Sequence, residues 1–165
     1  MDALEALRTR RSVRVFDDSP VDRTLIEDIV DCGRLAATAR NEQPWEFVAI
    51  LEARSRERIA ALTNYGKFIA KAPVCIAVFC KEADYYLEDG CAATQNMLVA
   101  ARALGLGSCW VAGERKPYGA DVAQVCGMPP GHKLISLIAL GYSTQQPKLP
   151  KRSLEEVLHW EHYSE

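Results

Sequence analysis

The first residues with clear chemical potential are four closely spaced arginines, Arg8, Arg10, Arg11 and Arg14, with Ser12 among them. A guanidinium group binds phosphate or carboxylate through two parallel hydrogen bonds, and a serine hydroxyl adds one further donor. Alternate residues of an extended segment share a face, so Arg10, Ser12 and Arg14 would point to the same side. The pattern predicts an anion-binding site, and the alternative is a solvated basic loop.

The composition restricts what this cluster could bind. The chain has 165 residues, a net charge of -2 and a pI near 6.0, so its basic charge is local and general nucleic-acid binding is not expected. With 48% hydrophobic residues, residues 1–165 are predicted to form a single domain with its own core. The start of the chain lacks the pattern of a signal peptide, and no apolar run could span a bilayer. We therefore expect no membrane association and a cytoplasmic location.

The cysteines and histidines do not indicate a metal or redox centre. The six cysteines include no Cys-x-x-Cys pair, and most lie in apolar runs, where a thiol behaves as a small hydrophobe. Cys75 and Cys80 should face opposite sides of a strand. His159 and His162 lie close together, but the chain has only one other histidine, His132. We expect reduced core cysteines and no metal site.

Hydrophobic periodicity predicts the elements that must position the arginine cluster. Helices are predicted over residues 2–9, with Leu4 and Leu7 on one face, from Thr24, where residues 24–27 fit a capping box, and over 54–64, 86–104 and 118–126. Strands are predicted over 45–51, 74–79, 108–112 and 134–140. The second and fourth strands lack alternation, so both should be central. Helices interleaved with buried strands favour a three-layer α/β arrangement with a parallel sheet, although the pattern does not define strand direction.

The C-terminal segment has an apolar face that nothing later in the chain can cover. Residues 143–150 form a polar linker, and Leu154, Val157, Leu158 and Trp160 follow it. We expect residues 143–165 to be a linker and a tail that packs on a partner subunit. Small residues along the 86–104 helix would also let another helix approach closely.

Four motifs, in this order, resemble those of the nitroreductase family of FMN-dependent oxidoreductases. They are Arg-Arg-Ser-x-Arg-x-Phe ending at Phe16, the segment 41–47, the run 89–113 with its Gln-Asn-Met and Leu-Gly-Leu-Gly-Ser-Cys-Trp sequences, and Pro-Lys-Arg-Ser-Leu-Glu-Glu at 150–156. The resemblance implies an α+β, three-layer fold with a mainly antiparallel central sheet, helices on both faces and an interwoven homodimer. We follow this implication for strand direction.

The same resemblance implies how the two basic segments bind FMN. Arg10 and Ser12 would hold the phosphate together with Lys151 and Arg152 from the other end of the chain. Arg11 would contribute donors along the ribityl chain. Charge-assisted hydrogen bonds contribute about 1.5 to 3 kcal/mol each, so three or four of them would retain the cofactor tightly.

Three further positions are implied to contact the flavin ring. Arg14 stands where the family has a cation at the N1/C2=O edge, which gains negative charge on reduction. Asn41 resembles the asparagine that pairs with the pyrimidine edge or the N5 region, and Gln43 would assist it. The alternative for Asn41 is a turn residue before Pro44.

Thr38 and Ala39 stand where many family members contact the flavin of the opposite subunit. Ala37 and Ala39 replace a proline and a serine that are common there, so the expected contacts from this segment are to its backbone. Arg40 could reach the cofactor or an acidic substrate, and the alternative is a surface charge.

Residues 111–114 match the place where a family backbone N–H points at flavin N5, and Ala112 and Gly113 are the residues expected to lie against the ring. Glycine there would allow close backbone approach. Trp110 is either a neighbour of the flavin or part of the core.

The resemblance implies an enzyme in which NAD(P)H reduces FMN and leaves before a nitroaromatic, a quinone or another small electron-poor acceptor takes the electrons. The alternatives are a flavin-binding module and a specialised flavoenzyme of the same fold with a different substrate. The physiological acceptor and the choice between NADH and NADPH are not encoded in any motif that we recognise.

Overall fold

A central four-stranded sheet organises the chain. A computed structural model describes residues 1–163; the predicted tail extends two residues further, and residues 164 and 165 lie outside the described part. The described strands are β1 (Trp45–Ile50), β2 (Val74–Lys81), β3 (Gly107–Ala112) and β4 (His132–Gly141). The described helices are α1 (Ala3–Thr9), α2 (Arg23–Arg34), α3 (Ala53–Leu62), α4 (Tyr86–Ala103) and α5 (Gly119–Val125). Each predicted helix and strand is formed, with ends shifted by a few residues.

All strand pairs in the sheet are antiparallel, and the strand order is β1-β2-β4-β3. The parallel arrangement favoured by periodicity alone is therefore wrong, and the antiparallel sheet implied by the family resemblance is confirmed. The two central strands, β2 and β4, are the two without polar alternation. Both of their faces are covered, so their sequences look the same whichever way the strands run.

Helices cover both faces of the sheet, as expected for a three-layer α+β fold. Val74, Ile76 and Val78 of β2 pack on the side of α2 and α4. Cys75 and Phe79 pack on the opposite side, with residues of α3 and α5. Cys80 lies on the α2 and α4 side, so Cys75 and Cys80 face opposite layers as predicted.

Two helix ends show how the local sequence sets the boundaries. The capping box predicted to start at Thr24 is not used, because α2 begins at Arg23 with Asp22 at the N-cap position. The Asp22 side chain makes no capping hydrogen bond. Gly105 has φ of 83° just after α4, and Leu106 N–H donates to the Ala101 carbonyl at 2.8 Å. Glycine adopts this left-handed conformation at no steric cost, so Gly105 ends α4 and turns the chain into β3.

The two ends of the chain leave apolar side chains exposed. Leu4 and Leu7 of α1 are exposed, and Ala6 is the buried residue of that helix. In the tail, Leu154, Val157, Leu158, Trp160 and Tyr163 are exposed in the single chain. None of the described helices is long and apolar enough to cross a membrane. The described residues also contain no cluster of three or more histidine, cysteine or acidic residues that could hold a metal ion.

Candidate functional site

The segment after α1 is held against the outer edge of β3. Ser12 and Ser108 form a parallel β-bridge, in which Val13 N–H donates to the Ser108 carbonyl at 2.9 Å. Gly107 makes this contact possible, because a Cβ there would lie 2.9 Å from Cγ1 of Val13. The arginine cluster is therefore an extended segment beside an edge strand.

The C-terminal segment is tied to the same place. The side-chain carbonyl of Gln145 accepts hydrogen bonds from the N–H groups of Arg14, at 2.9 Å, and Val15, at 3.3 Å. The Ser143 hydroxyl donates to the Val15 carbonyl at 2.6 Å. These bonds bring the basic residues that follow Gln145 next to the arginine cluster.

The two segments enclose a cavity of about 510 Å³, which we call the cationic cavity. Its basic lining residues are Arg8, Arg10, Arg11, Arg102, Lys148 and Lys151. Among the described residues, no aspartate or glutamate lines it. In a chain of net charge -2, this separation of charge gives the cavity a positive potential, which favours anions.

Two of the predicted cofactor ligands have other partners: Arg11, predicted for the ribityl chain, and Arg152, predicted for the phosphate. Arg11 lines the cationic cavity, but its Nη1 donates to the carbonyls of Arg8, at 3.0 Å, and Arg10, at 2.8 Å. It therefore holds the loop that carries the cluster. Arg152 donates to the Glu156 carbonyl and does not line the cavity, whereas Lys151 does.

Of the three residues predicted to share one side of the extended segment, Arg10 lines the cationic cavity and Ser12 and Arg14 do not. All three influence the buried thiol of Cys109 in β3. Burial raises the pKa of that thiol, while the charge of Arg14, a hydrogen bond with Ser12 and the charge of Arg10 act in the opposite direction. The three side chains therefore lie within electrostatic range of one residue of β3.

A second cavity, of about 610 Å³, continues along β3 from Arg14, and we call it the aromatic cavity. Its lining residues include Phe68, Trp110 and Tyr118. The guanidinium carbon of Arg14 lies 5.9 Å from the centroid of the Phe68 ring, within range of a cation–π contact. Trp110 both lines this cavity and packs against the core on the α2 and α4 side.

The end of β3 presents one backbone amide to the aromatic cavity. Gly113 and Glu114 both donate to the Ile135 carbonyl, at 2.9 and 3.2 Å. Because the Ser108 carbonyl faces the outer edge of β3, alternation directs the backbone groups of Ala112 to that edge too. The hydroxyl of Tyr118 donates to the Ala112 carbonyl, which is consistent with this direction.

Gly113 is explained by packing within the chain. A Cβ at this position would lie 2.5 Å from Cγ of Leu134. The glycine therefore lets the turn after β3 fit over β4, and of the predicted pair it is Ala112 that lines the aromatic cavity.

The loop that contains Thr38, Ala39, Asn41 and Gln43 lies at the start of α4, outside the lining of both cavities. The buried carboxylate of Asp89 accepts from the Thr38 hydroxyl at 2.7 Å and from the Ala39 N–H at 3.0 Å. Asn41 and Gln43 have φ of 58° and 50°, so the loop is fixed in a conformation that is unusual for these residues.

Arg40 of this loop is a surface charge in the single chain. Its Nη1 lies 3.4 Å from the Asp84 carboxylate and 3.6 Å from that of Glu42. The guanidinium carbon also lies 5.9 Å from the ring centroid of Tyr85.

The structure adds lining residues that no motif identified. Lys148 and Arg102 join the cationic cavity, while Asn64, Arg115 and Lys116 join the aromatic cavity. The cations Arg115 and Lys116 directly follow the segment 111–114, so the sequence alone could have indicated that they lie near the site. No sequence pattern identified Asn64, since an asparagine at the end of a charged helix is typical of a turn.

Comparisons with known proteins identify the family of the chain. The family model described as "Nitroreductase family" matches residues 7–142. A protein of Methanothermobacter thermautotrophicus named "Putative NADH dehydrogenase/NAD(P)H nitroreductase" is 34% identical over 155 residues, covering 89% of this chain and 80% of that protein. A crystal structure with the same name from Parabacteroides distasonis has a TM-score of 0.92 and 25% identity, covering 98% of each chain.

A third similar structure was solved with a ligand. A "putative nitroreductase in complex with fmn" from Desulfovibrio desulfuricans has a TM-score of 0.87 and 31% identity, covering 99% of both chains. The match to the family model over most of the sequence, and these relatives over nearly its whole length, show that the chain belongs to the nitroreductase family.

Proposed function

We propose that this chain is an FMN-dependent oxidoreductase that uses NAD(P)H to reduce nitroaromatics, quinones or other small electron-poor acceptors. The observation that carries the proposal is the extended segment 10–14, which joins the cationic cavity to the aromatic cavity. FMN has a matching distribution of groups, because a ribityl chain joins its dianionic phosphate to a planar ring. The FMN complex of the relative from Desulfovibrio desulfuricans supports the same ligand.

The donors at the phosphate end fit a dianion. Arg10 and Lys151 line the cationic cavity from opposite ends of the sequence, whereas Ser12 does not line it. Arg11 fixes the loop through two carbonyls, so its contribution is to position Arg10. Arg152 is directed to Glu156 and is a weaker candidate for the phosphate.

The aromatic cavity fits the ring end. Phe68, Trp110 and Tyr118 provide apolar walls, and the Ala112 N–H is a backbone donor that faces the outer edge of β3. Arg14 provides the cation for the N1/C2=O edge, where negative charge develops on reduction.

When bound, FMN supplies the two-electron redox chemistry. The chain orients the ring against β3, keeps Arg14 at the edge that gains charge, and leaves the cavity open for NAD(P)H and the acceptor to bind in turn. For a nitroaromatic, the first two-electron reduction converts R–NO2, NAD(P)H and a proton to R–NO, NAD(P)⁺ and water. Solvent can supply the proton, so no side chain of the site has to donate it.

The proposed enzyme is a homodimer. The exposed apolar residues of the tail and the fixed loop of Thr38, Ala39, Asn41 and Gln43 are features that a partner subunit would explain. In that assembly the loop contacts the flavin of the opposite subunit, and the tail covers an apolar surface of the partner.

The absorbance spectrum of the freshly purified protein tests the cofactor. We expect a yellow protein with the spectrum of oxidised FMN, or a protein that takes up FMN when it is added. A colourless protein that binds no FMN would contradict the proposal.

Turnover then separates an enzyme from a flavin-binding module. We expect NAD(P)H to be consumed with a nitroaromatic or a quinone, and double-reciprocal plots at several acceptor concentrations to give parallel lines. Bound FMN without turnover of any such acceptor would favour a flavin-binding module or a specialised flavoenzyme.

A further inference from the structure

The turn after β3 places two cations on the lining of the aromatic cavity. Arg115 and Lys116 are both exposed and both line this cavity. None of the ion pairs among the described residues involves either of them. The lining described for this cavity also contains no aspartate or glutamate.

The adjacent carboxylate of Glu114 is directed elsewhere. It accepts a hydrogen bond from the Tyr86 hydroxyl of α4 at 2.9 Å. That hydrogen bond, together with burial, raises the pKa of Tyr86, whereas the charge of Arg115 acts in the opposite direction. Glu114 therefore turns towards α4, and the two cations that follow it remain available to a ligand.

The backbone at Arg115 is in the left-handed region, with φ of 57°. Lys116 N–H donates to the Gly113 carbonyl at 3.2 Å, which closes the turn. Glycine is the residue that this conformation favours, and an arginine keeps it only where the surrounding turn imposes it. The turn thus holds two successive cations on one wall of the cavity.

We infer that Arg115 and Lys116 make this enzyme selective for anionic acceptors, namely electron-poor aromatics that carry a carboxylate or a sulfonate. The inference rests on the proposed function. The aromatic ring of the acceptor occupies the part of the aromatic cavity that the flavin ring leaves open, and its anionic group pairs with the two cations. Arg14 has a separate task at the flavin edge. The anionic group of the acceptor is unchanged by the reaction, in which the nitro group is the part that is reduced.

A pair of matched acceptors tests the inference on the FMN-loaded protein. 4-Nitrobenzoate and 4-nitrobenzamide have similar shapes and the same nitro position, and differ in charge. For each protein variant, the measured quantity is the ratio of kcat/KM for 4-nitrobenzoate to kcat/KM for 4-nitrobenzamide. Comparing this ratio between variants removes the intrinsic difference in reactivity of the two nitro groups.

Two substitutions remove the cations one at a time. Arg115→Gly removes a guanidinium at a position whose backbone favours glycine, so the variant should melt at or above the temperature of the wild type. Lys116→Ala removes the second charge at a position where the backbone is not in the left-handed region. We expect each variant to lower the ratio about two- to fivefold, the range for one exposed ion pair, and added salt to lower the wild-type ratio. Arg58→Ala, which removes an exposed cation outside both cavities, should leave the ratio unchanged.

The possible failures are distinguishable. If the wild type consumes NAD(P)H with 4-nitrobenzamide and neither variant changes the ratio, the inferred charge selectivity is wrong and the proposed function stands. The same conclusion follows if both acceptors lose activity equally in Arg115→Gly and Lys116→Ala. If the wild type holds no FMN, the proposed function and the inference are both overturned. If it holds FMN and reduces quinones but neither of these two acceptors, the inference alone is overturned.

Discussion

Arg14 lines the aromatic cavity and directly follows Val13, which lines the cationic cavity. Its backbone N–H is held by Gln145, and its guanidinium group lies over Phe68 beside the strand that we propose to carry the flavin ring. A cation fixed in advance near developing negative charge favours that charge without reorganisation. The role proposed for Arg14 is therefore electrostatic and does not require proton transfer.

Replacing Arg14 by alanine should slow reduction of the flavin while leaving FMN bound. We expect kcat to fall by about 10- to 100-fold. This decrease lies at or below the lower end of the range that is typical when a donor stabilising developing charge is removed. The potential of the bound flavin should become more negative. Steady-state kinetics and a potentiometric titration measure the two effects.

Arg14→Lys and Arg54→Ala are the controls for this prediction. Lysine keeps the charge and should restore part of the rate, whereas Arg54→Ala removes an exposed cation that lines neither cavity. An unchanged flavin potential in Arg14→Ala would argue against an electrostatic role.

The phosphate end allows a comparison between adjacent residues. Lys151 lines the cationic cavity with Arg10, whereas Arg152 donates to Glu156. We expect Arg10→Ala and Lys151→Ala each to weaken FMN binding about 10- to 100-fold, since each removes a hydrogen bond to a charged group. Arg152→Ala should have a smaller effect.

FMN occupancy after extensive dialysis, followed by titration of the apoprotein, measures this comparison. Equal retention of FMN by Lys151→Ala and the wild type would contradict the assignment of Lys151. A larger loss in Arg152→Ala than in Lys151→Ala would reverse the order inferred from the structure.

At the scale of elements, α4 approaches the sheet closely because Gly90 has no side chain. A Cβ at this position would lie 2.7 Å from Cγ1 of Ile135 and 2.9 Å from the sulfur of Cys80, and both side chains belong to the core. The contact links the helix that carries Asp89 and Tyr86 to the two central strands.

Gly90→Ala should therefore destabilise the protein although alanine is the better helix former. Overpacking costs about 1 to 3 kcal/mol, which exceeds the gain of up to about 1 kcal/mol from helix propensity. Gly119→Ala in α5 is the matched control, because the nearest atoms to its added Cβ are 3.9 Å away. Urea unfolding of both variants measures the difference, and an equal or higher free energy of unfolding for Gly90→Ala would show that α4 can move away from the sheet.

Elements of this fold were largely predictable from the sequence, and strand direction was not. The apolar runs that became β2 and β4 indicated central strands, because side chains on both faces had to be buried. The same burial removed the polar alternation that could have signalled an antiparallel sheet. The direction came from the resemblance of the motifs and agrees with the structure.

For the molecule as a whole, charge was the part of the site that could be read from the sequence. The arginine cluster was recognisable because Arg8, Arg10, Arg11 and Arg14 fall within seven residues and guanidinium groups bind anions strongly. Lys151 was recognisable through the resemblance of the motif at 150–156. The walls of the aromatic cavity were not recognisable, since Asn64, Phe68 and Tyr118 come from separate segments and each has an ordinary local role. Only the folded sheet edge brings these residues together.

The exposed apolar side chains of the tail are the observation that bears on the proposed homodimer. Leu154, Trp160 and Tyr163 are 69%, 80% and 76% exposed, and together they form an apolar surface that water covers unfavourably. A chain that ends at Arg152 retains Lys151 at the cationic cavity but loses this surface. We expect the truncated protein to be a monomer or to aggregate, because the surface of the partner that the tail covers becomes exposed.

Light scattering coupled to size-exclusion chromatography measures the mass of the truncated and full-length proteins. The full-length chain should elute at twice the mass of one subunit. Trp160→Ala is a milder companion variant and should raise the dimer dissociation constant without removing the segment. A truncated chain that remains a dimer and holds FMN would show that the tail is not part of the subunit interface, and the loop at Thr38 and Ala39 would then be the next region to test by substitution.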